Sequence, residues 1–208
     1  NFNSSTDFYG FRTVSFLSAL EIFVNFKNLF TLNSISAPVI GLSSESSERK
    51  LNEEILHLSK NYQEIKVKVG KDVSADISKV NHIQNVLPDG IKLRIDANQG
   101  YSISQAINFL SSISPKSIQH IEQPLAVSEW SNMAKLNEQF SDFKFALDES
   151  ISNSNDIHLA YEKKACRVIK LKLFKCGSIA NTLEMCRLAS DYGFEIILGN
   201  GVQNILGT

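Results

Sequence analysis

The 208-residue chain reads as an α/β protein, a (β/α) TIM-type barrel that is incomplete in this chain. Three observations predict this. Short apolar stretches alternate with helical patterns through the middle of the sequence, as in βαβ units. A charged residue ends five successive stretches: Lys68, Asp96, Glu122, Asp148 and Lys172, at intervals of 28, 26, 26 and 24 residues. So regular an interval means one repeated unit, and a strand, a loop and a helix fit within it. Inside the stretches, apolar and charged residues alternate with period two, which gives each strand one apolar and one charged face.

Taken in order, strands are predicted over 38–42, 64–69, 91–97, 118–122, 144–148, 167–173 and 194–198. Helices are predicted between them over 49–61, 73–86, 104–112, 130–139, 156–164 and 179–192, with Gly193 as a C-cap for the last. A closed barrel needs eight strands, and the eighth is expected after Thr208. Ahead of the first strand, 14–26 is helix-like; without a charged leader or a small-residue cleavage site it does not read as a signal peptide. The chain starts at Asn1 without a methionine and stops soon after an apolar strand, so both ends look cut and a fragment is expected.

Composition narrows the function. Lys plus Arg number 21 against 22 for Asp plus Glu, so no large basic surface invites nucleic acid. No apolar run approaches the roughly 20 residues of a membrane span. Cys166, Cys176 and Cys186 are odd in number and form no CxxC pair, so they read as reduced thiols of a cytoplasmic protein. Four scattered histidines offer no zinc spacing.

The parity of the strands places the charges. Ile65, Val67 and Val69 oppose Lys66 and Lys68; Leu93 and Ile95 oppose Arg94 and Asp96; Phe145 and Leu147 oppose Lys144 and Asp148; Ile169, Leu171 and Leu173 oppose Lys170 and Lys172. The apolar face can pack on outer helices. The charged face then points into the barrel, where ions need partners, and the sites of such barrels lie at the strand C-terminal ends. Asp96, Glu122 and Asp148 would converge on one rim, repel one another if alone, and so call for a cation. Oxygen-only donors suit Mg²⁺, with Mn²⁺ as an alternative. The competing reading pairs each carboxylate with a barrel lysine in a buried ion-pair network. Lys66 and Lys68 flank the acids on one side and Lys172 on the other. A lysine near a metal is pushed towards the neutral form that a general base needs. This arrangement suits removal of the proton next to a metal-bound substrate carboxylate, through an enediolate.

These residues resemble the enolase superfamily, and within it the muconate-lactonizing-enzyme-like group. Lys66-Val67-Lys68 is similar to that group's second-strand KxK motif. Asp96-Ala97-Asn98-Gln99-Gly100 resembles its third-strand segment, Glu122-Gln123-Pro124 its fourth, and Asp148-Glu149-Ser150 its fifth. Lys172 to Ser178 is similar to the sixth-strand segment that starts at the base lysine, although Gly177-Ser178 replaces the usual glycine pair. The resemblance implies Asp96, Glu122 and Asp148 as metal ligands and Lys68 and Lys172 as the acid/base pair, facing each other across the metal. It implies that Lys66 hydrogen-bonds the substrate or tunes Lys68, and that Asn98 and Glu149 support the site, Glu149 by orienting Lys172. Lys170 and Lys175 compete for the base role; counting back from Gly177 selects Lys172.

By the same resemblance, 1–35 would be the remnant of a capping domain that is mostly absent, with its last helix near 11–25, and 36–208 the barrel without its last strand. The implied partner is a small carboxylate substrate, with no nucleic acid and no membrane; a homo-oligomer is compatible. The leading reading is an o-succinylbenzoate synthase-like dehydratase. Dipeptide epimerase, N-acylamino acid racemase and muconate cycloisomerase are alternatives within the group, while a Schiff-base lysine aldolase or a non-catalytic fragment are alternatives outside it. The seventh-strand end, Gly199-Asn200-Gly201-Val202-Gln203, does not look like that of the synthases.

Overall fold

The computed structural model describes residues 17–22, 24, 41–43 and 48–199. They fall in two compact units: a larger one within Pro38–Ser150 and Ala160–Val168, and a smaller one within Asn1–Ala37, Ile151–Leu159 and Ile169–Thr208. Strands and helices alternate throughout, the (β/α) arrangement expected. In order they are β1 (Gly41–Ser43), α1 (Glu48–Leu58), β2 (Glu64–Lys68), α2 (Val73–Val86), β3 (Lys92–Asp96), α3 (Ile103–Ser111), β4 (Ile118–Glu122) and α4 (Trp130–Gln139). There follow β5 (Phe145–Leu147), α5 (Ser154–Lys163), β6 (Val168–Lys172), α6 (Leu173–Cys176), α7 (Ile179–Asp191) and β7 (Glu195–Gly199). All seven predicted strands have counterparts among the described residues. Parts of three expectations lie outside those residues: the flanks of the helix-like stretch 14–26, of which 17–22 and 24 are helical; the start of the strand 38–42; and the strand end 200–203.

In the larger unit β1 to β5 are parallel and pair in chain order. The apolar face is the core. Ile65 and Val67 of β2, Leu93 and Ile95 of β3 and Ile121 of β4 are all 0% exposed, so the period-two alternation there is the imprint of burial on one face. β5 departs from it. Phe145, Ala146 and Leu147 are each 0% exposed, so both faces of that strand are covered and its charged partners fall outside it. On the opposite face of β2 and β3, Arg94 pairs with Glu64 and Lys66 with Asp96, the compensation that enclosed ions need.

The loops after β2 and β3 lie backbone against backbone. A Cβ on Gly100 would stand 2.1 Å from the Gly70 carbonyl oxygen, so only glycine fits there. The buried Asp76 of α2 locks the same corner, accepting from Gly70 N at 2.8 Å, Lys71 N at 3.3 Å and the Tyr101 hydroxyl at 2.9 Å. Burial first, then this carboxylate, pushes the Tyr101 hydroxyl well above its ordinary pKa, so it stays a donor.

In the smaller unit Ile169 and Leu171 are buried, and a Cβ on Gly199 would meet Lys170 Cε at 2.4 Å, so the glycine of β7 makes room for that lysine. The predicted strand 167–173 ends at Lys172 instead; Leu173, 40% exposed, opens the short helix α6, because no core holds it extended. Glu21, in the helical stretch 17–22, accepts from Ile179 N at 2.7 Å and Ala180 N at 3.4 Å, and so caps α7 beside its N-cap Ser178. The three cysteines are free, and burial pushes the Cys166 thiol up to about 12. Among the described residues no helix is long and apolar enough to cross a membrane.

Asp76→Ala should cost about 3 kcal/mol, because it orphans two backbone N–H groups and a buried hydroxyl that now donate to an anion. Urea unfolding monitored by circular dichroism measures it; an unchanged midpoint would show that the corner does not depend on the carboxylate.

Candidate active site

Pairing between neighbouring strands decides where the acids stand. Lys68 is the Cα partner of Asp96, and Asp96 of Glu122. Glu122 is level with Ala146, so Asp148, two residues further, points to the same face. Asp96, Glu122 and Asp148 are 1%, 2% and 1% exposed. Three buried carboxylates thus stand at or just beyond the ends of adjacent strands of the larger unit, where enclosed charge needs compensation.

Lys66 brings positive charge to two of them. Its Nζ stands 2.8 Å from Asp96 Oδ2 and 3.1 Å from both Glu122 carboxylate oxygens. Asp96 and Glu122 thus adopt the ion-pair arrangement weighed as the competing reading. Among the described residues, no three acid, histidine or cysteine side chains gather at the spacing of a metal site. The donor set nevertheless fits a hard divalent cation: it is all carboxylate oxygen, and two of its members already close on one positive charge.

Lys68 differs from Lys66. Its side chain is 58% exposed, and its Nζ donates to Asn98 Oδ1 at 2.7 Å while lying 3.8 Å from Asp96 Oδ2. Asn98 Nδ2 donates in turn to Glu149 Oε1 at 3.0 Å, and Asn98 N to Asp96 Oδ1 at 3.1 Å. A chain of hydrogen bonds therefore runs from Glu149 through Asn98 to Lys68, which holds this lysine at an accessible rim. Within the larger unit Glu149 reaches Lys68 in this way; its expected part was to orient Lys172. In the smaller unit Lys172 ends β6, half-buried, with its Nζ 6.0 Å from the centre of the Phe174 ring. Lys170, buried at 9%, lies deeper in the same strand, and Lys175 lies beyond it in α6, as the sequence indicates.

Sequence reasoning assigned no role to Gln123 or Ser150, although both flank the acids. Gln123 is 0% exposed with φ +39°, and its amide bonds to Ser150 Oγ, to the Leu125 carbonyl and to the Asp148 and Ser150 N–H groups. A glutamine directly after a buried acid was the available signal; its burial was not legible.

Lys66→Met should lower the stability of the metal-free protein by about 3 kcal/mol, since it leaves two buried carboxylates side by side without their cation. Adding Glu122→Gln to that variant should recover part of the loss. Denaturant midpoints at neutral pH test both, and a single variant as stable as the wild type would mean that the ion pairs contribute nothing.

Comparison with known proteins identifies the family. Residues 50–207 match the family model described as "Enolase C-terminal domain-like". The D-Ala-D/L-Ala epimerase of Cytophaga hutchinsonii is 34% identical over 159 residues, 76% of this chain and 43% of that protein. The L-Ala-D/L-Glu epimerase of Clostridium acetobutylicum is 32% identical over 162 residues, 77% of this chain and 45% of that one. The chain thus spans less than half the length of these curated relatives. Among solved structures, the Cytophaga hutchinsonii dipeptide epimerase complexed with Mg and the dipeptide D-Ala-L-Val superposes with a TM-score of 0.78 at 30% identity, over 96% of this chain and 53% of that one. The muconate lactonizing enzyme of Pseudomonas putida shares the fold, with a TM-score of 0.76 at 24% identity over 82% of this chain and 48% of that one. The chain belongs to the enolase C-terminal domain-like family, in the mandelate racemase/muconate-lactonizing group of the enolase superfamily.

Proposed function

We propose that the protein containing this chain inverts the α-carbon of a small carboxylate substrate, a dipeptide in the first instance, by removing a proton from one face and returning one to the other. The observation that carries this reading is that the family segment, 50–207, contains all the charged positions from Lys66 to Lys172, in a chain whose relatives at 32–34% identity are named epimerases. The dehydratase reading draws no specific support from these relatives, which favour the epimerase and racemase alternatives. In this proposal 1–35 belongs to a capping segment and 36–208 to the barrel.

Asp96, Glu122 and Asp148 would hold Mg²⁺, which when bound supplies Lewis-acid stabilisation of charge developing on the substrate carboxylate. The rest falls to the chain's own side chains. Lys68, tethered by Asn98 and Glu149 at an exposed rim, would take the α-proton and return it in the reverse direction. Lys172, at the end of β6, is assigned the second proton transfer by the family resemblance. Lys66, which lies against Asp96 and Glu122, would donate to the substrate carboxylate.

The test is proton exchange in D₂O by the full-length protein with a dipeptide such as Ala-Glu. Lys68→Ala and Lys172→Ala should each abolish inversion, and each should retain exchange of the α-proton of one epimer only. Loss of exchange with one variant alone would favour the dehydratase; unimpaired turnover in both would dismiss the two lysines. Removing metal with EDTA should abolish exchange and Mg²⁺ restore it, whereas a Schiff-base enzyme would keep its activity and be trapped by borohydride. Asp148→Asn should weaken Mg²⁺ binding by roughly tenfold or more, because an amide replaces an anionic oxygen donor.

A further inference from the structure

We propose that Gln123 is a positioning residue that ties together the ends of the three strands that carry the carboxylates, so that the site's affinity for a divalent cation depends on this buried amide. The inference rests on the reading of Asp96, Glu122 and Asp148 as metal ligands, and gives that site its determinant of affinity.

Gln123 touches the ends of all three acid-bearing strands. Its carbonyl oxygen accepts from Gln99 N at 2.8 Å, in the loop that follows Asp96. Its N–H donates to the Ala146 carbonyl oxygen at 2.8 Å, two residues before Asp148. Its Oε1 accepts from the N–H groups of Asp148 and Ser150, both at 3.1 Å, so it holds the backbone of one acid directly. Its Nε2 donates to the Leu125 carbonyl oxygen at 2.9 Å and to Ser150 Oγ at 2.8 Å. Two acceptor and two donor positions are all that an amide has, and each is used.

The backbone agrees with this. A φ of +39° is rarely populated by a residue with a side chain, and it persists only where the surroundings over-determine it. The residue type also follows from the site. A carboxylate here would add a fourth like charge to the cluster, and a lysine or arginine would compete with the metal for the acids. A primary amide can accept twice and donate twice without changing the charge of the site.

The experiment is a Mn²⁺ titration of the full-length protein followed by EPR, well below the melting temperature of every variant. Gln123→Met keeps the size and removes every polar atom; it should weaken Mn²⁺ binding by roughly tenfold or more, as loss of a supporting partner does at other metal sites, and change the line shape of the bound ion. Ser150→Ala removes one of the four bonds and should weaken binding by about threefold. Leu136→Ala, a fully buried position in α4, should lower the melting temperature yet leave Mn²⁺ affinity within about twofold of the wild type, which separates positioning from general loosening. Asp96→Asn guards the premise. If it binds Mn²⁺ as the wild type does, the metal reading itself fails and this inference with it. If Asp96→Asn weakens binding while folded Gln123→Met does not, only the role of Gln123 is overturned. Should Gln123→Met fail to fold, Ser150→Ala decides, and unchanged affinity there overturns the proposal.

Discussion

Like charge, buried on one face, is the constraint that the larger unit is built around. Parallel strands in chain order bring successive strand ends side by side, and a period of two points Asp96, Glu122 and Asp148 the same way. All three lie at 2% exposure or less, so water does little to screen them. Much else at that end of the sheet answers to this. Lys66 lends its charge between Asp96 and Glu122. Asn98 ties its own backbone to Asp96 while its side chain joins Lys68 to Glu149.

Much of this was legible before any coordinates, for a definite reason. Ile65, Val67, Leu93 and Ile95 alternate with charged residues because one face of β2 and β3 is core and the other is not, and a single sequence records that directly. The interval from Lys68 to Lys172 is equally direct, because one strand, loop and helix consume a nearly fixed length of chain. Legibility failed where three-dimensional company overrules local pattern. β5 is buried on both faces, so alternation says nothing about it. Leu173 is apolar and follows a strand, yet it opens α6 and stays 40% exposed instead of extending the strand into the core.

The site shows the same division. Which residues are charged and on which strand ends they stand was readable; which charge answers which was not. Lys66 and Lys68 are two residues apart on one face, and sequence gives no ground for one being 12% and the other 58% exposed. The difference arises because Lys66 lies one pleat deeper, level with Arg94, while Lys68 is level with Asp96 at the rim. Gln123 escaped notice for a related reason. Its importance lies in hydrogen bonds to backbone groups, which have no letter in a sequence.

The cap that Glu21 places on α7 bears on how the chain is made. The two ends of that bond are 158 residues apart, so the smaller unit joins a stretch near the start of the chain to one near its finish. At a synthesis rate of roughly 5–20 residues per second, the early stretch waits about 8–30 seconds for its partner to emerge. β1 to β5 meet no such delay, since each pairs with the strand before it. On the ribosome the larger unit can therefore pair strand by strand, while the Glu21 cap forms only once the start of α7 has been made.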